Sequence, residues 1–182
     1  IVRLTKNNAG TSKNKRNFSL FGDPAIQLPI GELTVKTDSL VQQGTGKVDT
    51  LNPLDRITVY GHVQDHSGSI AENYNGSLVV HLKDKKKYFY TRGNDGGGTF
   101  AFQMRKNNLF KGQANVENGK FKIDLIVPKN MDPKYGSGKI IYWGNSNNAI
   151  VQGAYENFQV GGTAESDIND SQGPVISLFM NT

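Results

Sequence analysis

Three histidines are the first residues to test for chemistry. His62 and His66 stand four residues apart and His81 follows. On a helix that spacing would set two imidazoles on one face, as zinc sites do. Here the surrounding period is that of a strand, and Asp65, Ser67 and Gly68 read as a turn. Surface histidines are therefore expected; His62 and His81 could be exposed neighbours on adjacent strands, but no third ligand is in view. The chain contains no Cys, which excludes disulfides, thiolate metal sites and a Cys nucleophile within it. No Ser lies in a Gly-x-Ser-x-Gly context, so hydrolysis lacks its central group. "GNDGGG" (93–98) has the glycine content of a phosphate loop, but no helix or Lys follows as that motif requires, and it reads as a hairpin loop. The expectation is no catalytic residue, no cofactor site and no metal site.

Two binding constellations remain. "KDKKKYFYTR" (83–92) interleaves lysines with Tyr88, Phe89 and Tyr90, types that stack on and neutralise a nucleic acid or an anionic glycan. The reading preferred is a solvated edge strand that its lysines protect from aggregation. Tyr142 and Trp143 could form a sugar-stacking platform, although a lone Trp in a β-protein more often packs in the core. "DINDSQGP" brings together Asp167, Asn169 and Asp170, hard oxygen ligands suited to calcium. It resembles the Asp-x-Asn-Asp linker of cadherin-like repeats. The further carboxylates such a site needs are not identifiable, and a polar linker is expected.

The elements that must position these residues are short strands. Glycine is abundant (21 of 182 residues) and long stretches at helical period are missing. "RITVYGHV" (56–63) turns Ile57, Val59, Gly61 and Val63 to one side, and "SLVVHL" (77–82) does the same with Leu78, Val80 and Leu82. Asn118-Gly119 predicts a tight hairpin, because a type I′ turn needs positive φ at both central residues. After it Phe121, Ile123, Leu125 and Val127 share a face, and Pro128 ends the strand. "KYFYTR" and "TFAFQM" flank the glycine loop; "GKIIYWG" (138–144) and "AYENFQVGG" (154–162) add two more strands. Eight to ten strands with short turns predict an all-β fold, specifically an antiparallel, Ig-like β-sandwich over 33–160.

The charge is uneven. The net charge is +5, yet Arg3, Lys6, Lys13, Lys15 and Arg16 precede any acid, and taking those five from the 21 Lys and Arg leaves 16 against 16 acids. The body is neutral behind a basic arm, which gives no reason to expect nucleic acid as a partner. No apolar stretch approaches the roughly 20 residues of a membrane helix, so direct membrane insertion is not expected. Ile1 in place of an initiator Met, and the apolar run Val175–Met180 at the close, are expected of a piece of a longer protein.

"NFSLFGDPAIQLP" (17–29) resembles the last segment of the catalytic domain in gingipain-type cysteine peptidases, where a strand enters a Gly-Asp-Pro turn and leaves the domain. "FKGQANVENGKFKIDLIVPKN" (110–130), "YGSGKIIYWG" (135–144) and "FQVGGTAESDINDSQGPVISLFMN" (158–181) extend the likeness, in order, to the cell-surface sortases of the bacterial type IX secretion system. The resemblance implies three parts. Residues 1–32 would be the tail of a catalytic domain, a flexible basic arm plus an extra exit strand with Phe18, Leu20 and Phe21. Residues 33–160 would be the sandwich, and 161–182 a linker and the start of a next domain. It also implies a parent cysteine endopeptidase or transpeptidase on the extracellular side of the outer membrane. That parent would remove C-terminal sorting domains from cargo and join the cargo to anionic lipopolysaccharide. Its His–Cys pair would lie upstream of Phe18, so no catalytic residue carries over here. The implied partners are the upstream catalytic domain and other secretion proteins or cargo. The alternative, from another class, is an autonomous carbohydrate-binding module using Tyr142, Trp143 and the basic strand.

Overall fold

The computed structural model describes residues 31, 33–94, 96–146 and 149–164. The chain divides into two units, Ile1–Ile30 and Gly31–Thr182, and all described residues belong to the second. The Gly-Asp-Pro stretch with Phe18, Leu20 and Phe21, and the triplet Asp167, Asn169 and Asp170, lie outside the described residues.

Every regular element described is a strand. In chain order they are β1 (Leu33–Gln42), β2 (Gly46–Val48), β3 (Thr50–Leu51), β4 (Arg56–Gln64), β5 (Gly76–Lys83), β6 (Lys87–Tyr90) and β7 (Ala101–Met104). There follow β8 (Asn108–Glu117), β9 (Lys120–Ile126), β10 (Gly136–Ser137), β11 (Lys139–Ser146), β12 (Ala149–Tyr155) and β13 (Gln159–Val160). The main sheet runs β12-β11-β5-β8-β9-β4-β1-β2, and β1 also pairs with β12. Seven strands thus form a closed ring, with β2 hanging from the far end of β1. All pairings in it are antiparallel except the closing one, where Leu33 faces Val151 and Thr34 faces Gln152 in parallel. β10, β13 and β3 form a small second sheet, and β6 and β7 a separate two-stranded ribbon.

The expected two-sheet, Ig-like sandwich is therefore corrected to a closed barrel. The physical reason lies in β1, which breaks register between Thr37 and Ser39 along β4. Bulged strands bend, and the near half of β1 reaches β12 while the far half pairs with β2. Closure removes the free edges that two separate sheets would leave.

The interior follows the alternation read in the sequence. Ile57, Val59 and Val63 from β4, Leu78, Val80 and Leu82 from β5, and Phe121, Ile123 and Leu125 from β9 are all buried. Each such side chain contributes about 1.5–3 kcal/mol when removed from water. Gly61 occupies an inward position because the ring of Phe121, its cross-strand partner, fills the space a Cβ would take. That ring meets Tyr142 edge-on, with centroids 5.5 Å apart. The Asn118-Gly119 turn has φ of 49° and 73°, as a type I′ turn demands, and sets Glu117 opposite Lys120. Among the described residues no helix is long and apolar enough to cross a membrane.

Candidate functional site

The ribbon β6–β7 is where the described residues carry their densest set of unburied aromatic groups. Its tip is the "GNDGGG" loop, with Gly93, Gly96 and Gly98 all at positive φ, which glycine adopts without steric cost. The hairpin expected from that stretch is present. Lys87–Tyr90 is an edge strand, as expected, but of a separate two-stranded ribbon, because β6 pairs with β7 alone. Phe89 stacks on Phe102 at 5.9 Å, and with Phe100 and Met104 they share one face of the ribbon. Tyr88, Tyr90, Ala101 and Gln103 share the other. Tyr88, Tyr90 and Phe100 each expose about two-thirds of their surface (67%, 68% and 69%). A two-stranded ribbon without a core is marginal in water by itself, so its anchorage matters.

That anchorage is polar and buried. Asp84 and Lys85, at the root of β6, are the two buried charged residues among those described. Lys85 Nζ donates to Asp84 Oδ1 at 3.3 Å and to the Asp132 carbonyl at 2.8 Å. The Asp84 carboxylate also accepts from the Lys85 backbone N–H at 2.8 Å and from Asn107 Nδ2 at 3.4 Å. On the β7 side Arg105 donates to the carbonyls of Asp84 and Ser137 and pairs with Glu156 at 3.1 Å. Glu156 also meets Lys139 at 2.7 Å, and this hydrogen bond, with the charges of Lys139 and Arg105, holds its carboxyl below the usual range. Lys87 pairs with Asp132 at 3.3 Å. The Lys134 backbone N–H, then Lys87, likewise lowers Asp132. The ribbon therefore stands on a pinned base with uncovered flanks, which suits it to binding rather than to catalysis.

The other candidates come apart. Tyr142 is 1% exposed and Trp143 53%, because neighbours along a strand point to opposite sides. The aromatic platform of the carbohydrate-binding alternative is thereby split. Alternation along "GKIIYWG" already carried that information. His62 lies on β4 and His81 on β5, with β8 and β9 between them, so the two do not stand on adjacent strands. His62 Nδ1 sits 2.8 Å from Asp38. Burial, then Lys111 and Lys83, pushes the His81 imidazole below its ordinary pKa. Among the described residues no three His, Asp or Glu side chains converge as a metal site would require. Sequence reading paired the two strands of this hairpin but did not count Phe100, Phe102 and Met104 with Tyr88–Tyr90 as one binding surface. The signal was available, since apolar residues on both faces of both strands do not fit a half-buried sheet.

No protein-family model matches the chain, and no curated protein matches it by sequence. Among solved structures, dimeric latent PorU from Porphyromonas gingivalis superposes with a TM-score of 0.68 and 22% identity, covering 88% of this chain and 16% of that one. Spo0M, a sporulation control protein from Bacillus subtilis, follows at TM-score 0.40 and 12% identity, covering 73% and 51%. A conjugative transposon lipoprotein from Bacteroides eggerthii gives 0.32 and 11%, covering 71% and 96%. The chain spans 16% of the length of the PorU chain and has the fold of that stretch of it.

Proposed function

We propose that this chain is a non-catalytic accessory β-domain of a type IX secretion system sortase of the PorU kind, acting at the cell surface on the extracellular side of the outer membrane. The carrying observation is the fold shared with PorU over 88% of this chain. The ordered motif likeness around 17–29, 110–130, 135–144 and 158–181 supports it. On this reading residues 1–32 end an upstream gingipain-like cysteine peptidase domain, 33–160 form the accessory body, and 161–182 lead into the next domain. Catalysis belongs upstream, where a His–Cys pair would cut sorting domains from cargo and transfer the cargo to anionic lipopolysaccharide by covalent acyl transfer. The absence of any Cys from this chain accords with that division. Its work is to support the catalytic domain and to present a surface to cargo or secretion partners.

The test is to delete residues 33–160 from the gene in its native host and follow secreted cargo. Cargo that reaches the surface with its sorting domain still attached is the expected result. Cargo processed as in the wild type, or peptidase turnover by the purified chain alone, would refute the proposal.

A further inference from the structure

The ribbon β6–β7 has three properties that one kind of partner uses together. The first is a pair of unpaired backbone edges. Thr91 N–H donates to the Phe100 carbonyl at 2.9 Å. Bonded and non-bonded pairs alternate along antiparallel strands, so Tyr88 and Tyr90 on one edge, and Ala101 and Gln103 on the other, turn their N–H and C=O groups outward. The second is uncovered apolar surface on both faces. The third is charge. Between Lys83 and Lys106 stand seven Lys and Arg against two Asp, and Asp84 is already committed to Lys85. Among the described residues Lys83, Lys86, Arg92 and Lys106 carry no ion pair.

We infer that the ribbon binds an extended, acidic polypeptide segment, which adds to one edge as a third strand. Strand addition satisfies the outward backbone groups, lays alternate side chains beside the Phe and Tyr faces, and meets the basic surplus with carboxylates. It also turns a marginal two-stranded ribbon into a three-stranded sheet. Other occupants use less of what is there. A second copy brings the same basic surplus against itself. At about 200 Å² per large side chain, the exposed parts of Phe100, Phe102 and Met104 supply only roughly 300 Å², against about 800 Å² per partner in a stable dimer. An anionic bilayer satisfies the charge and the aromatic rings but leaves both backbone edges unpaired in the apolar layer, which is costly. The inference stands on the ribbon alone, independently of the secretion reading.

The experiment takes the full chain and a labelled, acetylated peptide of alternating Glu and Val, with binding followed by fluorescence anisotropy. Binding is expected to weaken at least tenfold when the backbone amides along one edge of the peptide are N-methylated, a change that spares its charge. It should weaken similarly in the double variant Y90P/A101P. Proline at those two sites removes an outward N–H donor from each edge and is tolerated there, and Y90A, which keeps the donor, reports separately what loss of the Tyr90 ring alone costs. An unchanged thermal transition then reports that the barrel is intact. K86E/K106E should lose binding by a similar factor. Equal affinity for the methylated and unmethylated peptides would overturn strand addition. So would binding to phosphatidylglycerol vesicles but not to the peptide, or ribbon-dependent dimerisation in sedimentation without peptide uptake.

Discussion

The hydroxyls of Thr37 and Tyr142 lie 2.6 Å apart, joining β1 to β11 past the intervening β12. Tyr142 is 1% exposed, so its hydroxyl has exchanged water for this one partner. Burial pushes its pKa well above the ordinary tyrosine value of 10.0. Replacing it by Phe leaves the ring packed on Phe121 and removes a single hydrogen bond, at a cost of about 1 kcal/mol. Y142A removes the ring as well and should cost about 3–5 kcal/mol. The pH dependence has a definite sign. The native state keeps the proton at pH values where the unfolded tyrosine loses it, so the stabilisation is complete below pH 10 and falls as pH rises beyond it. Urea titrations at rising alkaline pH should show a shallower loss for Y142F than for the wild type. Parallel curves would mean that Tyr142 ionises in the native state.

Barrel closure should hinge on Gly153. A Cβ placed there would meet the Val35 carbonyl and its side chain. Gly153 thus lets β1 lie against β12, where only Leu33–Val151 and Thr34–Gln152 form the closing ladder. G153A should push the strands apart, lower stability by about 2 kcal/mol or more, and speed amide exchange at Leu33, Thr34, Val151 and Gln152. Unchanged protection at those amides would show that the ring closes without this contact.

That closure was not legible in the sequence, and the reason is physical. Alternation in "RITVYGHV" and "SLVVHL" says which side chains face the interior, because the period of a strand is local. Asn118-Gly119 is equally local. The partner of β1, by contrast, is decided by a contact between the first and last strands of the ring, carried by two residue pairs with no periodic signature. The same limit left the placing of His62 and His81 open, since strand order is a long-range property. Tyr142 and Trp143 were a different failure: strand alternation alone separates adjacent rings. The ribbon was half legible. Its glycine tip and flanking strands were read correctly, but its detachment from the barrel was not.

The root of the ribbon should depend on Asp84 and Lys85 as a pair. Both are buried, and each leaves an uncompensated charge if the other is removed. K85M and D84N should each destabilise the protein, by up to about 3–5 kcal/mol where a bare charge remains. The double variant D84L/K85M should recover much of that loss, because two apolar side chains need no partner. A double-mutant cycle by urea denaturation measures the difference. A double variant as unstable as the sum of the singles would place the cost in the hydrogen bonds to Asn107 and the Asp132 carbonyl instead.

Acid should loosen the ribbon before it unfolds the barrel. Glu156, held by Lys139 and Arg105, and Asp132, held by the Lys134 backbone N–H and Lys87, both keep their carboxyls below the ordinary range in the native state. A depressed folded pKa gives stabilisation that is complete above the unfolded values, 4.5 for Glu and 3.8 for Asp, and that disappears as pH falls below them. Glu156 is exposed enough that salt screens part of the effect. Its protonation releases Arg105, whose other contacts tie β7 to the Ser137 and Asp84 carbonyls. The protection of the Phe89 and Phe102 amides, relative to their intrinsic exchange rate at each pH, should therefore fall as pH is lowered through this window, while that of Val59 and Val80 in the barrel holds. E156Q should show the quickened ribbon exchange already at neutral pH and a smaller further change on acidification, the remainder being the share of Asp132. If E156Q and the wild type respond to acid alike, Glu156 does not hold the ribbon.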